Sequence, residues 1–136
     1  MTGRRALFGA VLLSLTALSV AGCRGEDGQP VTLQITIHYS RFEAVALTAP
    51  RGVPITFVLV NEDPIAHEWL IGDAAFHQRH RTGTHAQHGA RPDEVSLPPL
   101  GTVETTLTFD EPGQILYICH LPGHEAYGMV GTLTIT

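Results

Sequence analysis

Val31-Thr32-Leu33-Gln34-Ile35-Thr36-Ile37-His38 alternates apolar and polar side chains without a break. A period of two puts Val31, Leu33, Ile35 and Ile37 on one buried face of a strand and their neighbours on the other. The same signal recurs outward from this stretch. Ile55 to Val60 is a β-branched and aromatic run after the Pro50-Arg51-Gly52-Val53-Pro54 turn, and His67-Glu68-Trp69-Leu70-Ile71 follows Asn61-Glu62-Asp63-Pro64. These read as two adjacent core strands, with Trp69 packed in the core. Val103, Thr105, Leu107 and Phe109 alternate with Glu104, Thr106 and Thr108, and Asp110-Glu111-Pro112-Gly113 then turns the chain into Gln114 to Cys119, which reads as a hairpin. Met129 to Thr136 ends the pattern with Met129, Leu133 and Ile135 on one face. About six or seven short strands and no convincing helix predict an all-β sandwich. Residues 72–99 alone resist: the stretch is long, contains His77, His80, His85 and His88, and sustains no period. It is expected to be an insertion loop with at most a short helical turn.

The chain has 136 residues, room for one domain and not for a large multidomain enzyme. All 8 basic residues are Arg, and 13 acidic residues leave a net charge of −5. An anionic surface argues against gripping a phosphate backbone, so no nucleic-acid partner is expected. The 14 Gly and 9 Pro are spread along the chain, as in a turn-rich β domain and unlike a low-complexity linker.

Arg4 and Arg5 precede an apolar run, Ala6 to Ala21, that is short and Ala/Ser-rich. That is the pattern of a signal-peptide core, and Arg4-Arg5-Ala6-Leu7-Phe8 is loosely like a twin-arginine export motif. The run ends in Val20-Ala21-Gly22-Cys23, which resembles a bacterial lipobox whose Cys is acylated. Residues 1–22 are therefore expected to be a cleaved lipoprotein signal peptide, residues 23–30 a tether from lipidated Cys23, and residues 31–136 the domain. The protein is expected to be extracytoplasmic and lipid-anchored to a bacterial membrane, on its periplasmic side or at the cell surface. Cleavage removes Arg4 and Arg5 and no acid, taking the charge from −5 to −7. With Cys23 lipidated, Cys119 is a lone thiol in an exported chain, which demands a chemical role.

Tyr117-Ile118-Cys119-His120-Leu121-Pro122-Gly123-His124-Glu125-Ala126-Tyr127-Gly128-Met129 supplies that role. A thiolate, an imidazole and a thioether appear in order, Cys-x4-His-x4-Met, in one loop between two strands. A blue-copper centre needs these atoms: a thiolate and two imidazoles near one plane, with a weak axial thioether. The second imidazole must come from elsewhere. His67, opening an apolar strand after a turn, is the candidate; His38, on the polar face of its strand, is expected in solvent. His120 points opposite Cys119 if the strand continues, and is expected to make an ordinary hydrogen bond.

Through Asn61…His67 and Cys119…His124…Met129 the chain resembles the cupredoxin family, the plastocyanin- and azurin-like blue-copper proteins, over about residues 31–136 outside the insertion. The loop departs from the Cys-x2-His-x4-Met of plastocyanin and the Cys-x4-His-x3-Met of azurin. The resemblance implies a Greek-key β-sandwich with one type 1 copper per chain, ligated by His67, Cys119, His124 and, axially, Met129. It also implies a monomeric electron carrier between extracytoplasmic redox proteins, with no substrate turnover and with an edge of His124 as the electron port. Cys119-His120 also looks like part of the copper loop of multicopper oxidases, but Ile118 replaces one flanking His and the other His pairs are absent. A binuclear site needs a second Cys in this loop. The rival reading is a lipoprotein that buffers or delivers copper, using His77, His80, His85 and His88 for capture. Their x2, x4 and x2 spacings could hold Zn(II) or Cu(II). A solvated His-rich loop is the plainer alternative, because the spacing matches no closed site.

Overall fold

The alternating segments form strands where they were expected, and three shorter strands and a helix join them. The computed structural model describes residues 28–82 and 91–136. Its elements are β1 (Val31–His38), β2 (Arg41–Phe42), β3 (Ala46–Ala49), β4 (Ile55–Asn61), β5 (His67–Gly72), α1 (Ala74–Arg81), β6 (Glu94–Leu97), β7 (Thr102–Leu107), β8 (Gly113–Ile118) and β9 (Val130–Ile135). One sheet runs β2-β1-β4-β7 and the other β3-β9-β8-β5-β6. β1 lies parallel to β4 and β3 parallel to β9, while the remaining pairs are antiparallel. The chain crosses repeatedly between the sheets, giving a β-sandwich of the Greek-key kind.

The period-two residues meet in the middle. Ile35, Ile37, Ile55, Phe57 and Leu59 from one sheet are buried against Trp69, Ile71, Tyr117, Leu133 and Ile135 from the other. The Phe57 and Trp69 rings lie 4.8 Å apart. Each such side chain contributes roughly 1.5–3 kcal/mol of burial free energy.

Three expectations need correction. β4 and β5 are not neighbours in a sheet; they lie in opposite sheets and pack face to face through Phe57 and Trp69. The Asp110–Gly113 turn makes no hairpin either: β7 pairs with β4, whereas β8 pairs with β5 and β9, so the turn carries the chain between sheets. Alternation reports which face of a strand is buried, not which strand lies beside it. Finally, residues 72–99 are not simply a loop. Asp73 caps α1 by accepting from Phe76 N–H at 2.7 Å, and Arg79, His80 and Arg81 in the last turn suit the helix dipole. Val95 and Leu97 are buried on β6, which pairs with β5. Four residues are too short a run for an alternation to stand out. The expected signal peptide, lipidation of Cys23 and most of the tether fall on residues 1–27, outside the described residues.

Candidate metal centre

Asn61 ends β4, and its side chain builds the turn that delivers the first donor. Its Nδ2 donates to the carbonyls of Ile65 at 2.8 Å and Pro98 at 2.9 Å, while Asp63 N–H donates to Asn61 Oδ1 at 3.0 Å. Such side-chain to backbone bonds fix a turn that has no ladder partner. Asp63 is buried, and its carboxylate accepts from three donors: the backbone N–H groups of Tyr39 and Ser40, both at 2.7 Å, and His67 Nε2 at 2.9 Å. Burial alone would raise the Asp63 pKa, but these hydrogen bonds outweigh it and hold the carboxyl below its ordinary value. Tyr39 and Ser40 have φ of 52° and 54°, a left-handed conformation that costs side-chain-bearing residues energy. Accepting both their amides offsets that cost. Because a carboxylate only accepts, His67 carries its proton on Nε2 and turns the Nδ1 lone pair inward.

β8 ends opposite the middle of β5, with Ile118 facing Leu70, so the antiparallel register carries Cys119 to the level of Trp69, on the strand face that His67 shares two residues away. His67 Nδ1 is 3.2 Å from His124 Nδ1, which is 3.3 Å from Cys119 Sγ. The three donor atoms lie within 4.8 Å of one another. A common ion about 2.0–2.3 Å from each donor leaves neighbouring donors roughly 3.2–3.8 Å apart, so the triad has the dimensions of a metal site. Cys119 is fully buried, and burial pushes its thiol up to about 11 against the backbone N–H groups of Glu68 and Leu121 that point at it. A metal must therefore displace a proton to bind there. Burial and then the His67 ring lower the His124 pKa, which keeps its imidazole a neutral donor. One soft thiolate and two neutral imidazoles are the donor set that suits copper.

The loop closes on itself. His124 N–H donates to Leu121 O at 3.0 Å, Met129 N–H to His124 O at 3.1 Å, and Cys119 N–H to Met129 O at 3.2 Å. Gly123 and Gly128, at φ of 84° and 91°, allow the two reversals this requires. Met129 is thereby fully buried beside Cys119 in the chain path.

Two acids close to the triad were not singled out in the sequence. Asp63 stands four residues before His67 in a turn, which is the signal that could have found it. Glu68 is 7% exposed in a strand whose other members are mostly apolar, and its Oε1 accepts from His120 N–H at 2.9 Å. His38 stays away from the triad, half-exposed and stacked on Tyr39 at 3.9 Å. Among the insertion histidines, His77 is buried with both ring nitrogens engaged: Nε2 donates to Leu116 O at 3.1 Å, and Nδ1 lies 2.9 Å from His120 Nε2. His80 Nδ1 donates to Phe76 O at 2.8 Å. Neither joins a three-donor group; among the described residues only His67, Cys119 and His124 form one. His85 and His88 lie outside the described residues.

Two facing sheets with a buried thiol and two imidazoles at one end define a small copper-binding β-sandwich. The family model described as copper binding proteins, plastocyanin/azurin family, matches residues 30–136, and the chain belongs to that family. It is 29% identical to the copper-resistant cuproprotein CopI of Pseudomonas aeruginosa, over 76% of this chain and 75% of that protein. It is 31% identical to CopI of Rubrivivax gelatinosus, over 82% of this chain and 72% of the relative. Auracyanin A, a "blue" copper protein from Chloroflexus aurantiacus, is a similar solved structure with a TM-score of 0.62 and 27% identity, covering 79% of this chain and 100% of its own.

Proposed function

We propose that the protein is a type 1 copper electron carrier in which His67, Cys119 and His124 are the strong ligands and Met129 the axial one. The observation that carries this reading is the His67–Cys119–His124 triad, buried at His67 and Cys119, partly buried at His124 and held from outside by Asp63. Copper bound there supplies a one-electron Cu(II)/Cu(I) couple. The chain's contribution is a frame that need not move: Asp63 fixes the His67 tautomer, the closed 119–129 loop fixes Cys119 and His124, and the packed sheets exclude water. His124 is only partly buried, and its edge gives the electron a route out. Tyr39, Ile65, Leu100 and Tyr127 are exposed apolar side chains on the loops around this end, suited to transient contact with redox protein partners. The protein acts as a monomer without turning over a substrate. It works outside the cytoplasm, tethered through lipidated Cys23; the mass of the mature membrane-extracted chain tests this part.

The deciding experiment is a visible absorption spectrum of the purified protein after adding Cu(II), with bound copper counted and Cys119→Ser as control. An intense thiolate-to-copper band that the control lacks, with one copper per chain, is expected. A pale complex indifferent to Cys119 would sink the carrier reading.

A second reading, copper buffering or delivery, is favoured by relatives named copper-resistant cuproproteins. It predicts two coppers per chain, the labile one lost on replacing His77 and His80 by Ala.

A further inference from the structure

The insertion helix is tied to the copper loop at two points. α1 docks first on β5, where the Phe76 ring fills the space that a Cβ at Gly72 would occupy. From that anchorage His77 and Arg81, four residues apart and hence on one face of the helix, reach the loop. His77 Nε2 donates to Leu116 O in β8, which leaves Nδ1 as the acceptor for His120 Nε2–H, 2.9 Å away. Arg81 Nε donates to both carboxylate oxygens of Glu125 at 2.9 and 3.0 Å, and Nη2 adds a further bond. The residues gripped, His120 and Glu125, directly follow Cys119 and His124. Between the two grips the His80 and His120 rings stack 5.8 Å apart at 11°. On its other side the backbone N–H of His120 is held by the buried Glu68 carboxylate. Burial lowers the His77 pKa, which agrees with a neutral ring accepting from one partner and donating to another.

We propose that α1 is an outer clamp on the copper loop, in which His77 acting through His120 and Arg81 acting through Glu125 are positioning residues for the ligands Cys119 and His124. The insertion thus serves copper by holding the ligand loop, not by supplying ligands of its own. The proposal rests on the copper reading above and adds to it a role for residues that touch no ligand side chain.

The test compares copper-loaded wild type with His77→Ala, His77→Gln and Arg81→Gln. Three quantities are read: the rate of copper loss to a chelator, the midpoint potential and the visible spectrum. Metal-free thermal midpoints serve as the control for folding. His77→Ala is expected to lose copper faster by up to roughly tenfold, the lower end of what removing a direct partner of a metal ligand costs, because His77 reaches Cys119 only through His120. His77→Gln, whose amide can also donate and accept, is expected to recover much of that loss. The half-exposed Arg81–Glu125 pair should be worth less, so Arg81→Gln should speed copper loss by no more than about fivefold. Should His77→Ala not fold, the other two variants still decide. Copper loss, potential and spectrum equal to wild type in every folded variant, with only the metal-free midpoints lowered, would show α1 to be packing alone and overturn the proposal. A wild type without the thiolate-to-copper band would overturn the copper reading together with it.

Discussion

Asp63 decides how His67 presents itself, because one carboxylate satisfies two strained amides and the far nitrogen of the ring. Replacing it by Asn keeps the size but removes the charge and turns half of the group into a donor. Asp63→Asn is therefore expected to weaken copper binding by about 10–100-fold and to lower metal-free stability by about 1–3 kcal/mol, the cost of poorly satisfied buried donors. Chelator competition and thermal melts measure the two effects, and copper retention equal to wild type would mean that Asp63 does not orient the ring. Met129 is a different case. If it is the weak axial donor, Met129→Leu leaves the three strong donors in place, so the absorption band survives while the midpoint potential rises, Cu(II) having lost a donor. An unchanged potential would make Met129 core filler. The same contrast explains what the sequence disclosed of this site. Cys119, His124 and Met129 announce themselves because they share one loop at regular gaps. His67 could be chosen over His38 from its place after a turn. Asp63 and Glu68 have no such spacing, and their roles depend on a long-range turn and on burial that no local pattern encodes.

At the level of elements, β8 and β9 interlock through Tyr117 and Gly131, which stand opposite each other. A Cβ at residue 131 would overlap the Tyr117 ring, and the phenol donates to Ala44 O between β2 and β3. Gly131→Ala should cost about 1–3 kcal/mol through overpacking, read as a fall in thermal midpoint. Burial also pushes the Tyr117 phenol up to about 12. Its folded pKa then lies above its unfolded value of about 10, so the unfolded chain releases its proton first. Unfolding free energy should fall by roughly 2–3 kcal/mol as pH rises from about 10 towards 12. In the metal-free protein the Cys119 thiol adds a loss that starts lower, burial raising it from its ordinary value of 9.0 to about 11. Tyr117→Phe should lack the higher segment, and a variant with the same alkaline profile as wild type would refute the assignment. The strands β1, β7 and β9 were legible because their alternation runs for six residues or more, and β4 because Ile55 to Val60 is a β-branched and aromatic run. β2, β3 and β6 are too short to show a period. α1 was expected as no more than a short helical turn because only Phe76 and His77 are buried on it, so it displays no apolar stripe.

Over the whole molecule the site draws together chain segments far apart in sequence: His67 and His124 are 57 residues apart and come from the first residue of β5 and the loop before β9. An ion held by His67, Cys119 and His124 binds the folded chain and finds no comparable cage in the unfolded one, so its affinity is added to folding stability. At free copper one hundred times the dissociation constant the gain is about 2.7 kcal/mol, and it grows with the logarithm of concentration. For a domain of this size that corresponds to a rise in thermal midpoint of roughly 10–20 °C. Cys119→Ser removes the thiol that gives up its proton to the metal, and its midpoint should respond to copper far less. Thermal melts of both proteins with and without copper make the comparison. A rise of equal size in both would place the stabilising ion outside the triad. No rise in wild type would mean that the ion prefers the folded chain no more than the unfolded one, contrary to a cage assembled only by folding.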